Sequence, residues 1–301
     1  MRILVTGVDG LVGVRIAAIL SGRGHQILGV DRGPRRAQGD FGYLGVDLSR
    51  EPDVQGAFAE FRPEAVVHPA SMTDVDQCEK DPIGAWACNV TGTANVARAS
   101  AAAGAHLVHV STDYVFDGEA GPYELDAVPN PKGVYAVTKH AAEQAVKVLA
   151  KGAAIARTAV VYGYPPSARS NFGVWVVSKL ERGEQVPLFS DQYVSPTLAD
   201  SLAQMLAELA ERRLGGVWHT CGAEVVNRVE FAQAACSVFG FDPKLISPRL
   251  LADAPLSAPR PKRSGLKVDK TMRELKAKPL GLRESLERFR AAYRGAKGKT
   301  T

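Results

Sequence analysis

An α/β fold with a doubly wound parallel sheet is predicted by two features of the chain. Short apolar runs of strand character alternate with longer helix-type patterns: Ile3-Leu4-Val5, Ile27-Leu28-Gly29-Val30, Ala65-Val66-Val67 and Leu107-Val108-His109-Val110. The first of these runs turns through Gly7, Gly10 and Gly13 into an apolar helix pattern at residues 14–20. Glycines at this spacing, between a strand and a helix, let backbone N–H groups approach a pyrophosphate at the helix N-terminus. Together these features specify a Rossmann-type nucleotide-binding unit over residues 1–158. Residues 159–301 are expected to form mainly a smaller α/β substrate-binding lobe that threads back into the sheet at least once.

Within the first unit, the turn presents Gly7, Gly10, Leu11, Val12 and Gly13 to a dinucleotide. The second strand ends at Asp31, where a carboxylate accepts hydrogen bonds from the adenosine ribose and favours NAD(H). Arg32, Arg35 and Arg36 follow at once and suit the 2′-phosphate of NADP(H), so the choice of cofactor stays open. Asp47 and Leu48 come after the next apolar stretch, either as an adenine clasp or with Asp47 as a helix N-cap. Pro69, Ala70 and Ser71, small residues at a strand end, leave room for the cofactor, whereas His68 reads as structural. One helix is expected through Trp86, Asn89 and Ala97, closing at Gly104.

The chemistry is placed at Thr112, just past the end of the fourth strand, and at Tyr135 and Lys139. The latter two are one helical turn apart and so share a face. A tyrosine has a reference pKa of about 10, and lowering it by about 3 units requires roughly 4 kcal/mol of differential interaction, part of which a neighbouring ammonium can supply. Such a phenol can protonate a carbonyl oxygen while a nicotinamide delivers hydride to the carbon, with Thr112 as second donor to the oxygen.

The chain has 301 residues, 46% hydrophobic and 23% charged, which suits a globular protein with a sizeable core. Apolar runs stop well short of about 18 residues, so no membrane span is expected; the opening strand carries no cleavage signal, and cytoplasm is the expected location. Cys78, Cys88, Cys221 and Cys236 lack zinc or disulfide spacing, and no metal site is expected. Residues 244–301 hold 16 Lys and Arg against 5 Asp and Glu, a bias that suits a phosphorylated substrate. No aromatic residues interleave with the basic ones as nucleic-acid binding would require. Beyond residue 158, helices are expected at about 172–182, 198–212, 229–239 and 283–294.

These residues resemble an extended short-chain dehydrogenase/reductase, specifically the dTDP-4-dehydrorhamnose reductase group. The resemblance rests on the glycine turn, Val67-His68-Pro69-Ala70, Asn89, Ser111-Thr112-Asp113-Tyr114-Val115-Phe116, Tyr135 with Lys139, and Arg157. It continues through Tyr162-Gly163, Asn171-Phe172, Asp191-Gln192 with Pro196-Thr197, and Arg260-Pro261. It implies Thr112, Tyr135 and Lys139 as the catalytic set, with Asp113 and Val115 near the sugar; basic residues of the C-terminal lobe, Arg260, Lys262 or Arg263 among them, are expected to meet the diphosphate of a nucleotide sugar. Tyr114 stands where sugar-nucleotide dehydratases carry an acid, so elimination lacks its base. Val160 replaces a tryptophan of many such reductases, and Arg15 replaces an acidic residue linked to magnesium in some.

The same family includes regulatory subunits of methionine adenosyltransferase. A cofactor-binding regulatory partner that would engage an enzyme is therefore the alternative to catalysis, and a nucleotide-sugar epimerase is a third reading. The sequence leaves a homodimer open.

Overall fold

The structure, a computed structural model, describes residues 1–164 and 170–297. The first half runs β1 (Arg2–Thr6), α1 (Gly13–Gly22), β2 (Gln26–Asp31), β3 (Gly42–Gly45), α2 (Glu51–Phe61), β4 (Ala65–His68), α3 (Val75–Lys80) and α4 (Pro82–Trp86). It continues with α5 (Gly92–Ala102), β5 (His106–Thr112), α6 (Val134–Leu149) and β6 (Ala154–Thr158). The second half contains β7 (Val161–Tyr162), α7 (Phe172–Glu181), β8 (Val186–Phe189), β9 (Tyr193–Val194), β10 (Thr197–Leu198) and α8 (Ala199–Glu211). After these come β11 (Gly216–His219), β12 (Val226–Asn227), α9 (Arg228–Phe239), β13 (Ile246–Arg249), α10 (Asp269–Glu274) and α11 (Leu282–Lys297).

Seven strands form one sheet in the order β11-β6-β5-β4-β1-β2-β3, and every pairing is parallel. β1 lies between β4 and β2, so the winding reverses direction there. A crevice opens at such a point, outside the carboxyl ends of the strands, and ligands bind in it. β11 comes from the second half of the chain and extends the sheet beside β6. α8 packs with α1 in one core, joining Leu202, Met205 and Leu206 to Ile3, Ile16 and Leu20. Residues from α2, α5 and α6 fill the other face around Leu4, Val66 and Leu107. A separate aromatic core of Tyr162, Phe231, Phe239, Phe289 and Tyr293 holds α7, α9 and α11 together.

Two local differences from the sequence reading bear on the site. Thr112 is the last residue of β5 rather than lying beyond it. The expected helix around Trp86 is also interrupted: residues Ala87–Thr91 form a π turn between α4 and α5. One residue is gained in that turn, and the side chain of Asn89 is carried inward. Its Oδ1 accepts from the Met72 N–H at 2.7 Å and the Ser71 hydroxyl at 2.8 Å, while its Nδ2 donates to Thr138 Oγ1 at 3.1 Å. Asn89 thereby ties the loop after β4 to the helix that carries Tyr135 and Lys139. No helix among the described residues is long and apolar enough to cross a membrane.

Candidate active site

A cleft of about 840 Å³ opens at the carboxyl ends of β1, β2, β4 and β5. At one end it is floored by the glycine turn. Gly7 adopts φ 58°, and a Cβ added to Gly13 would stand 2.1 Å from the Gly7 carbonyl oxygen. A Cβ on Gly7 would come within 3.0 Å of Ala70 Cα. Only glycine keeps this turn flat against the start of α1, and the resulting backbone cradle fits a dinucleotide pyrophosphate. Leu11, Val12, Pro69, Ala70, Ser71 and Leu48 line the same cleft.

Asp31 stands at the end of β2, its carboxylate accepting the backbone N–H of Asp9 at 3.0 Å and of Arg32 at 2.8 Å. The three following arginines separate. Arg32 lines the cleft, Arg35 lies 4.5 Å over the Phe41 ring, and Arg36 pairs with Asp9 at 3.6 Å. Asp47 also lines the cleft, where it accepts both the backbone N–H and the hydroxyl of Ser49, closing a turn. It is not the α2 cap, a position held by Arg50 without a side-chain bond.

At the other end of the cleft Thr112 meets Tyr135 and Lys139. Thr112 Oγ1 donates to Asp113 Oδ1 at 3.0 Å, and the Tyr135 phenol stands beside the Thr112 hydroxyl. Lys139 Nζ donates to the Val110 carbonyl at 2.8 Å. Beneath them Glu143, one turn along α6, is ion-paired with Arg157 of β6 at 2.8 Å and accepts the Ser111 hydroxyl at 2.6 Å. His68 is buried, bonded to Thr6 at 2.7 Å and Thr93 at 3.0 Å, and burial pushes it down to about 3. It is therefore a neutral structural group.

Comparison with known proteins places this arrangement. Residues 1–294 match the family described as RmlD substrate binding domain. The chain belongs to this family. A dTDP-4-dehydrorhamnose reductase of Mycobacterium tuberculosis is 35% identical over 276 residues, covering 88% of this chain and 84% of that one. A methionine adenosyltransferase 2 subunit beta of Xenopus tropicalis is 32% identical over 267 residues, covering 86% and 78%. The crystal structure of a dTDP-4-dehydrorhamnose reductase from Bacillus anthracis in complex with NADP superposes with TM-score 0.85 at 29% identity, covering 96% and 98%. Both branches that the sequence resembles are thus among its relatives, and the class is that of NAD(P)H-dependent oxidoreductases of the dTDP-4-dehydrorhamnose reductase type.

Within this family frame one electrostatic expectation is corrected. The Tyr135 phenol is shifted up, not down. Burial dominates, and the Thr112 hydrogen bond opposes it only in part. The Lys139 ammonium donates to the Val110 carbonyl, and burial brings it down to about 8. The consequence is a tyrosine held as a neutral acid, the form a reduction consumes. Asp113, buried and bonded by Ser264 and Thr112, is pushed up to about 6 by that burial.

Two residues expected at the substrate are not among those that line the cleft. Val115 is fully buried beside Phe116 and Tyr123, because the single 3-10 turn after Thr112 rotates it into the interior. Arg260 does not line the cleft, since Asp76 of α3 holds its guanidinium at 2.7 Å. Residues the sequence did not single out line the cleft instead, among them Met72, Cys88 and Arg228. Val160 also lines it, at φ 39°, a conformation rare for a β-branched residue, with its carbonyl accepting from Thr197 at 3.1 Å.

The depressed Lys139 pKa has a consequence for stability. Below pH 8 both folded and unfolded chains carry the charge, and the folded one bears its desolvation. Between about pH 8 and the ordinary lysine value of 10.5 the unfolded chain binds a proton that the folded one has released. Wild type should therefore gain stability relative to Lys139→Met as pH rises through that window. Urea denaturation of both proteins at either side of it measures the difference, and a pH-independent difference contradicts the assignment.

Proposed function

We propose that the protein reduces the C4 keto group of a nucleotide-activated 6-deoxy sugar, as the dTDP-4-dehydrorhamnose reductases among its relatives do by name. The observation that carries this reading is that Thr112, Tyr135 and Lys139 line the same cleft as the glycine cradle. A bound reduced nicotinamide supplies the hydride. Tyr135 gives its proton to the developing alkoxide oxygen, and the Thr112 hydroxyl, turning its one hydrogen from Asp113, donates a hydrogen bond to the same atom. Lys139 holds the nicotinamide ribose while its contact with Val110 keeps it in register with Tyr135.

The cradle of Gly7, Gly10 and Gly13, with Asp31, Asp47 and Leu48 beyond it, holds the dinucleotide. Arg32 is the arginine of its cluster that faces the cleft, which favours NADPH over NADH. Residues 159–301 serve mainly as the substrate lobe. The second reading, a cofactor-binding regulatory subunit, draws on the methionine adenosyltransferase relative. It predicts cofactor binding without turnover and a stable complex with an enzyme.

Replacing Tyr135 with Phe should lower kcat by about 10²- to 10⁴-fold with NADPH affinity retained, because only the proton donor is lost. Wild-type kcat in that variant, by NADPH oxidation, contradicts the mechanism. Arg32→Ala should weaken NADPH by about tenfold, the loss of one charge-assisted hydrogen bond, and leave NADH almost unchanged. Equal effects on both cofactors, read by calorimetry, rule out a 2′-phosphate contact.

A further inference from the structure

The sequence assigns the substrate's anionic part to basic residues near position 260, yet the structure gives those groups other partners. Arg260 is paired with Asp76 at 2.7 Å, Lys262 with Asp191 at 3.2 Å, and Arg263 lies over the Tyr193 ring at 5.9 Å. Among the described residues lining the cleft, the cationic ones are Arg32, Lys139 and Arg228. Arg32 sits beside Asp31 at the end of β2, and Lys139, bonded to Val110, serves the cofactor in the reading above.

Arg228, the first residue of α9, is held in a way that suits a receptor. Its Nε donates to Gln192 Oε1 at 3.0 Å, and its guanidinium lies 4.4 Å over the Phe172 ring, so the plane is fixed from two directions. Gln192 is itself buried, and its Nε2 donates to the Pro261 carbonyl at 3.5 Å. Arg228 Nη1 is nevertheless buried without a hydrogen-bond partner. A buried guanidinium N–H left unpaired is costly, and such a donor beside a ligand cleft is completed when an acceptor arrives. Asp113, the nearby carboxylate, is already occupied by the hydroxyls of Ser264 and Thr112. Phosphate oxygens match a guanidinium fork in both charge and geometry.

We propose that Arg228, oriented by Gln192 and Phe172, receives the diphosphate of the substrate. The inference rests on the nucleotide-sugar reading and names the residue that selects that class. Uncharged keto sugars lack the group Arg228 waits for, so they bind weakly. The cofactor pyrophosphate has its own cradle at Gly7, Gly10 and Gly13.

The test is calorimetric titration of thymidine diphosphate and thymidine into NADP-saturated wild type, Arg228→Met and Arg228→Lys, with NADP affinity measured in each. Arg228→Met should weaken thymidine diphosphate by about tenfold or more, with thymidine and NADP unaffected and Arg228→Lys intermediate. Equal diphosphate affinity in wild type and Arg228→Met overturns the proposal. So does a parallel loss of NADP and diphosphate binding, or a wild type that binds no nucleoside diphosphate. If wild type takes uridine diphosphate in place of thymidine diphosphate with the same dependence on Arg228, the proposal stands and the thymidine identity of the substrate falls. Arg228-dependent diphosphate binding without turnover of keto sugars retires the reductase reading alone.

Discussion

The ion pair between Glu143 and Arg157 is the constraint on which the cleft depends. Both side chains are buried, and through Ser111 the pair joins α6 to β5 and β6 at one point. Lys139 lies one turn before Glu143 and Tyr135 one turn before that, so fixing Glu143 fixes the face they present to Thr112. Removing one partner of a buried pair leaves an uncompensated charge, at a cost of about 3–5 kcal/mol. The Glu143 carboxylate also favours the charged form of Lys139, partly offsetting its burial. One interaction therefore serves both geometry and protonation.

Burial sets the protonation states from there. Tyr135 stays a phenol, Lys139 sits near 8 and Asp113 near 6, each because the charged form is denied water. A tyrosine is already protonated near pH 7, so the burial that raises it adds no acid and makes proton release harder until the cleft is filled. The bond from the Thr112 hydroxyl to Asp113 fixes that hydroxyl at the end of β5, beside the Tyr135 phenol.

The parts of this account that were legible in the sequence are those where spacing alone dictates geometry. Three glycines between a strand and a helix can form only a close turn, and a separation of four residues in a helix puts Tyr135 and Lys139 on one face. The four later helices fall where apolar periodicity placed them. What escaped depends on contacts made across the chain. The π turn at Asn89 arises because a buried amide finds acceptors and donors in the loop after β4 and in α6, which no local pattern encodes. Arg260 looked available until α3 brought Asp76 to it, and Arg228 looked like any helix-opening arginine until Gln192 and Phe172 closed around it.

The most direct test of the central claim is to follow a deuteride. The protein is supplied with NADPH deuterated at the transferable position of the nicotinamide and with a thymidine diphosphate 4-keto-6-deoxy sugar, and the product is read by proton NMR. Deuterium at C4 of a newly formed alcohol, lost in Tyr135→Phe, is the result the account predicts. An intact keto sugar and unconsumed NADPH, from protein that binds NADPH tightly, would contradict it.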